Sequence, residues 1–266
     1  MIQAAPQLAT SEATPDPGGE PSASGDTLRL DAPIARQIIA RLRQAIIETR
    51  IRPGQALSEA EIAARYGVSR QPVREAFIGL RNMGLVQILP SRGTKVVKIS
   101  GRAALNARFV REAIECAVAR AAARLVDEAG RDELERSLAA QAQAAATGDA
   151  TRFYELDESF HRAIAAIADC DYAARIVESV RVQLDRVRFL SLPEATPLAT
   201  LVAQHRAIAT AIQRGDDDAA ERAMRAHLRE VLTSLPRLAS LHPELFEDVD
   251  LPRHVATQRV EPDERA

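Results

Sequence analysis

The sequence predicts a mainly α protein in two parts: an amino-terminal winged helix-turn-helix with a small β wing, then an all-α antiparallel helical bundle. Three observations carry this. Between Pro53 and Gly93 the chain alternates a capped helix, a tight turn, a second helix and two short strand-like runs. After Ser100, apolar residues recur at helical spacing almost to the end. Aromatic residues make up only 3% of the chain and Trp is absent, while Ala, Leu, Ile and Val supply the apolar share, a composition suited to helix packing. At 266 residues there is room for two domains.

Residues 1–27 are rich in Ala, Pro, Gly, Ser and Thr without periodicity and read as a disordered tail. Asp31 and Pro33 open the first helix, in which Ile34, Ile38, Ile39, Leu42, Ile46 and Ile47 repeat at helical spacing until Arg50–Gly54. Ser58 with Glu61 three residues later forms a capping box for the next helix, which buries Ile62 and Ala63 and breaks at Gly67. Ser69 caps the following helix, and Pro72 is tolerated in its first turn. Gly84 ends it. Leu85–Leu89 and Thr94–Ile99 are the two strands of a wing, joined by a turn from Pro90 to Gly93.

Arg70, Gln71 and Arg74 lie at the start of the second helix of this unit, the end that helix-turn-helix proteins direct into the major groove, where Arg reads guanine bidentately. Taken singly, Arg70 and Arg74 also fit solvated surface charges, and Ser69 fits a mere cap. The charge distribution bears on the choice. Asp31 to Ser100 holds twelve basic and five acidic residues, so this segment carries +7 and the remainder −9 of a net −2. A basic module joined to an acidic one suits a phosphate-binding head on a body with another task.

Pro53-Gly54, Leu57, Gly67-Val68-Ser69-Arg70, Pro72 to Ala76, Gly84-Leu85 and Arg92-Gly93 stand at the offsets of the amino-terminal domain of the GntR transcription regulators. The stretch resembles that winged helix closely. The resemblance implies a sequence-specific DNA-binding protein, with Ser69, Arg70, Gln71, Arg74, Arg92 and Gly93 at the DNA and Arg92 at the wing tip reaching the minor groove or phosphates. It implies no enzyme.

The bundle is expected from six helices: Arg102–Asp127, Arg131–Thr147, a helix capped by Asp149 and running through Ala168, Asp171–Leu190, Leu198–Arg214, and Asp216–Leu235 ended by Pro236. Leu105 and Phe109 lie on the core stripe of the first of these. Ser100-Gly101 reads as a hinge, and Ser240 onward as a loosely attached tail. The domains are therefore 1–27, 28–100, 101–238 and 239–266.

Within the bundle, Asp157 and His161 share one helix face a turn apart, and His205 and His227 lie mid-helix on two others. Three imidazoles and a carboxylate suit a divalent first-row metal, although any single histidine by itself fits a satisfied core or surface side chain better. Val110-Arg111, Ile114-Glu115, Asp157, Phe160-His161, His205 with Ile208, Arg214 to Asp216 and His227-Leu228 resemble the carboxy-terminal FCD domain of the FadR-like branch of the same family. This resemblance implies a metal held by Asp157, His161, His205 and His227, zinc in the first place with nickel or manganese as alternatives. It also implies a small carboxylate effector met by Arg111, a homodimer, and an inverted-repeat operator on which the protein acts as a repressor. Ala60, Asp169-Cys170 and Gln204 depart from that branch, which leaves the operator and the effector open. Two other readings stay in view: a metal-sensing or effector-independent regulator in which Arg111 is structural, and a metal-dependent hydrolase.

Cys116 and Cys170 are too few for a disulfide framework or a thiolate zinc site. No run of about 18 apolar residues occurs and the amino terminus has no basic-then-apolar leader, so the expected location is the cytoplasm, without a membrane partner.

Overall fold

The computed structural model describes residues 28–247, apart from 30, 91 and 195 and the side chains at 193 and 194. The tail expected over residues 1–27, and everything after 247, lie outside the described residues. No described helix is long and apolar enough to cross a membrane.

The head contains α1 (Ile34–Ile47), β1 (Ala56–Leu57), α2 (Glu59–Tyr66), α3 (Arg70–Asn82), β2 (Val86–Leu89) and β3 (Gly93–Val96). Ser58 Oγ accepts a hydrogen bond from the Glu61 amide (3.3 Å), and Gly67 closes α2 in the left-handed region at φ 64°. Ser69 occupies the N-cap position of α3, but its side chain makes no cap hydrogen bond. The wing has three strands rather than two, in the order β1-β3-β2, because the short β1 pairs antiparallel with β3 through Ala56–Lys95 and Leu57–Thr94. Ile38, Leu42 and Ile46 of α1 pack on Val73, Phe77 and Leu80 of α3 to form the head's core.

The body contains α4 (Gly101–Leu125), α5 (Glu128–Thr147), α6 (Ala150–Ile167), α7 (Asp171–Val180), α8 (Val182–Glu194), α9 (Leu198–Gln213), α10 (Asp217–Arg229) and α11 (Val231–Leu241). Two of the expected helices are each divided. The fourth breaks at Arg181. The sixth breaks at Glu230 while Pro236 sits inside α11, so the proline does not mark the end it was expected to mark. Phe109 is 47% exposed, which removes it from the core stripe, whereas Leu105 is buried as expected. Cys116 is buried and Cys170 half-buried, both as free thiols.

The connector between head and body pairs with the chain after α11. Ile99 forms a parallel bridge with Phe246, closed by Ile99 N to Leu245 O and Glu247 N to Ile99 O, both 2.9 Å. Ser100 then caps α4. The chain expected to be loose after Ser240 is thus packed through Glu247, with Phe246 buried against Leu235 and Leu238.

α8 joins the two halves. Val182 enters the head's core, and Gln183 Nε2 donates to the Gly84 carbonyl (2.6 Å). Arg186, fully buried, donates to the carbonyls of Val97 (2.9 Å) and Lys98 (3.4 Å). Asp185, also fully buried, meets Arg43 of α1 at 2.9 Å and Arg181 at 3.7 Å. Burial pushes the Asp185 carboxyl above its ordinary range despite the arginines around it. We expect Asp185→Ala to lower unfolding free energy by roughly 3 kcal/mol in urea titrations. That is the lower end of the range for removing one partner of a buried ion pair, because Arg43 reaches water in part and Arg181 keeps Glu158. A loss under about 0.5 kcal/mol, the scale of an ordinary surface substitution, would show that the junction does not depend on this pair.

Candidate nucleic-acid interface and metal centre

In the head, α3 buries Val73, Ala76, Phe77 and Leu80 against α1 and α2. The same helical period leaves Arg70, Gln71, Arg74, Glu75 and Ile78 on the exposed face. Ser69, Arg92 and Gly93 are exposed as well, the last two at the β2–β3 turn with Gly93 at φ 85°. The candidate DNA residues therefore fall on an open helix face and a wing tip, with none buried. Two of them are already engaged. Arg74 forks onto Glu59 of α2, Nε to Oε1 at 3.2 Å and Nη2 to Oε2 at 3.1 Å, and Gln71 Nε2 donates to Glu75 Oε1 at 3.1 Å. The hydrogen bonds from Arg74 hold the Glu59 carboxyl below its usual range.

In the body, Asp157 and His161 come from α6, His205 from α9 and His227 from α10. One donor atom from each lies within 4.8 Å of all the others. His227 Nε2 is 3.2 Å from His161 Nε2 and 3.3 Å from His205 Nε2, and Asp157 Oδ1 is 3.4 Å from His205 Nε2. Tetrahedral ligands at metal–nitrogen distances of about 2.0–2.1 Å stand about 3.3–3.4 Å apart, so these three separations match a shared ion. Asp157 Oδ1 is buried without a hydrogen-bond partner among the described residues. Such an oxygen is costly unless something else satisfies it.

The outer nitrogens are held too. His205 Nδ1 meets Gln141 Oε1 at 2.5 Å, His227 Nδ1 meets Gln204 Oε1 at 2.9 Å, and His161 Nδ1 lies 2.7 Å from Glu115 Oε2. The two glutamine oxygens favour the proton on Nδ1 of His205 and His227 and leave their Nε2 lone pairs pointing inward. Arg188 of α8 donates to the other oxygen of Asp157. Phe160 stacks on the His205 ring at 4.6 Å. Burial drives the His205 imidazole down to about 3, and the His227 imidazole well below its usual value. Burial also opposes a charge on Asp157, but Arg188 foremost holds its carboxyl well below the ordinary range. At neutral pH, then, an ionised carboxylate faces neutral His205 and His227, the protonation state a divalent metal needs.

Arg111 is buried on α4 and bonds Glu115 through Nε (2.5 Å) and Nη2 (3.3 Å). It thus reaches the cluster through the carboxylate that touches His161. It also lines two cavities. One of ≈ 240 Å³ is bounded by α4, α6, α7 and Met224 of α10, and the other of ≈ 40 Å³ lies toward α8 and α11 beside Arg188, Ser191, His227 and Ser234. Of the outer set, Glu115 is itself a motif residue and Gln204 stands next to one in the sequence. Gln141, Arg188 and the Glu59–Arg74 pair carry no local signal, because each is defined by contact between different helices.

Residues 34–96 match the family model "Bacterial regulatory proteins, gntR family" and residues 107–230 match "FCD domain". The chain is 43% identical over 216 residues to the HTH-type transcriptional repressor RspR of Escherichia coli (strain K12), covering 81% of this chain and 95% of that protein. It is 39% identical over 211 residues to an HTH-type transcriptional regulator in an unstable DNA locus of Streptomyces ambofaciens, covering 79% and 89%. Among solved structures, E. coli McbR/YncC shares the fold at a TM-score of 0.66 with 18% identity, over 80% of this chain and 99% of that one.

The buried imidazoles set a pH dependence for the metal-free protein. The folded pKa of His205 (about 3) lies below its unfolded value of 6.5, so between those limits the unfolded chain binds more protons. Stability therefore falls as pH drops through this window, and His227 adds to the loss in the same direction. Urea midpoints of chelator-treated protein between pH 7 and pH 4 should decline, and His205→Gln should flatten the slope. An unchanged slope in that variant would show that His205 is not buried neutral.

Proposed function

The chain belongs to the GntR family of bacterial transcription regulators and carries an FCD domain, and from that premise we propose that it is an operator-binding repressor controlled by a metal-containing pocket. The relatives it matches are HTH-type transcriptional repressors and regulators, not enzymes. The observation that carries the regulatory half is the donor cluster. Four ligand atoms converge, His205 and His227 have their outer nitrogens hydrogen-bonded, and that of His161 lies beside Glu115.

In this reading the reader is α3, with Arg70, Gln71 and Arg74 toward base edges and Ser69, Arg92 and Gly93 along the backbone. A homodimer places two heads on an inverted repeat. Asp157, His161, His205 and His227 hold a divalent ion, zinc by the mixture of nitrogen and oxygen donors, with nickel or manganese compatible with the same set. A bound ion supplies a Lewis-acidic anchor for an anionic ligand. Arg111 keeps Glu115 against His161 and lines both neighbouring cavities, so it serves the small carboxylate effector partly through the ligand shell and partly as wall.

The same geometry supports a route from pocket to head. Arg188 holds Asp157, and just before it on the same helix Gln183, Asp185 and Arg186 hold the head. An effector that binds one setting of α8 better than the other shifts where the head sits, and operator affinity shifts by at most that difference in binding free energy. The alternative of a pure metal sensor draws on Arg111 being spent on Glu115 rather than facing the ligand alone.

Two measurements test this. Against a DNA duplex selected from a random library by the wild-type protein, Arg74→Ala should cost about 1–3 kcal/mol of binding and relax the preference at one base pair. Unchanged affinity and preference would remove Arg74 from the reading. Thermal unfolding of zinc-loaded protein with small carboxylates and sugar acids should show one class that stabilises by roughly 2.7 kcal/mol at 100 times its Kd, with the effect lost on chelation. A flat panel with operator affinity that still follows added zinc would favour the metal sensor.

A further inference from the structure

The family assignment gives α3 its role but is silent on Glu59, the first residue of α2. We propose that Glu59 is a specificity-determining residue that acts through Arg74, holding its guanidinium in a single reading orientation and away from the phosphates. This rests on the operator-reading function proposed above.

The geometry is that of a fork on a fork. Glu59 takes up the Nε–Nη2 edge of Arg74 with both carboxylate oxygens, at 3.2 and 3.1 Å. A guanidinium has five N–H donors in one plane, so an arginine bound along that edge still presents its terminal edge in the same plane. Two parallel donors at fixed orientation are what bidentate contact with O6 and N7 of guanine requires. An unheld arginine, with its long rotatable stem, reaches phosphate oxygens on any sequence at least as readily.

The placement fits this role. Glu59 lies at the N-terminus of α2, where a carboxylate is favoured by the helix dipole, so the pair is anchored on rigid backbone at both ends. The Arg74 side chain is 58% exposed and that of Glu59 31%, which puts the cation outermost and the anion behind it. Arg70 adds a weaker attraction to the same carboxylate. Glu59 is therefore a negative charge that both arginines of the reading face share. A carboxylate there opposes DNA phosphates, so its presence lowers affinity for any sequence while sharpening the preference for one.

That opposition of signs gives the test. Full-length wild type, Glu59→Gln, Glu59→Asp, Arg74→Ala and the Glu59→Gln/Arg74→Ala double variant are compared at one salt concentration. Binding is measured to the library-selected duplex and to a random-sequence duplex of equal length. Glu59→Gln should bind the random duplex several-fold tighter and lose about tenfold in the selected-to-random ratio, a factor within the 1–3 kcal/mol of one bidentate base contact. Glu59→Asp keeps the charge but is too short for the fork, so it should lose the ratio without tightening on random DNA. In the Arg74→Ala background, Glu59→Gln should leave the ratio unchanged, since there is no guanidinium left to orient. A Glu59→Gln ratio within twofold of wild type, with an unshifted melting temperature, overturns the proposal and leaves Glu59 as a helix-start residue. A wild-type protein that selects no duplex from the library overturns the operator reading as well, which separates the two failures.

Discussion

A charge removed from water must be matched by another charge or by several hydrogen bonds, and α8 imposes that condition on the whole molecule. Asp185, Arg186 and Arg188 are all largely buried within one turn of this helix, and each finds its partner on a different element. Asp185 requires α1, Arg186 requires the backbone after the wing, and Arg188 requires α6. Moving α8 without moving all three would strand at least one charge. The head and the bundle thus share one electrostatic accounting, although each has its own apolar core.

The same rule explains the texture of the bundle interior. An apolar cluster of Val118, Leu134, Leu138, Ile164, Ile208 and Ile212 needs no partners and tolerates loose specification. The imidazole cluster does not. Its rings are fixed by Gln141, Gln204 and Glu115, and those by Arg111 and Glu230 in turn. Such a layered set of hydrogen bonds fixes ring orientation with the protein's own groups, which is the condition for binding a ligand without reorganisation. It also makes the interior selective about protonation, because the two imidazoles with depressed basicity offer lone pairs rather than protons at neutral pH.

How much of this was legible in the sequence follows from the range of each interaction. The helix-turn-helix is written in short-range signals: Ser58 with Glu61, Gly67 in the left-handed region, Pro72 in a first turn. The Asp157–His161 pair is likewise local. Bundle helices were legible in number of turns but not in their breaks, since Pro236 is accommodated inside α11 and the interruption falls at Glu230. β1 is two residues long and pairs only because β3 is there to receive it. Phe109 obeys the periodicity of the α4 stripe yet is exposed, because period alone does not say how wide the buried face is. Gln141, Arg188 and Glu59 gained their roles only when distant helices met, and no spacing rule reaches across such gaps.

The Ile99–Phe246 bridge has a consequence for synthesis. Its two residues are about 150 positions apart in the chain, and closing a loop that long is entropically costly until the intervening body has folded. Domains emerge from the ribosome amino terminus first. The head therefore has its helices, wing and exposed arginine face available well before the segment that fastens its connector has been translated. The nascent protein passes through a stage in which a DNA-reading module is tethered to an unfinished regulator. The Phe246 bridge fastens the connector only after the segment of α8 that joins head to body has already been made.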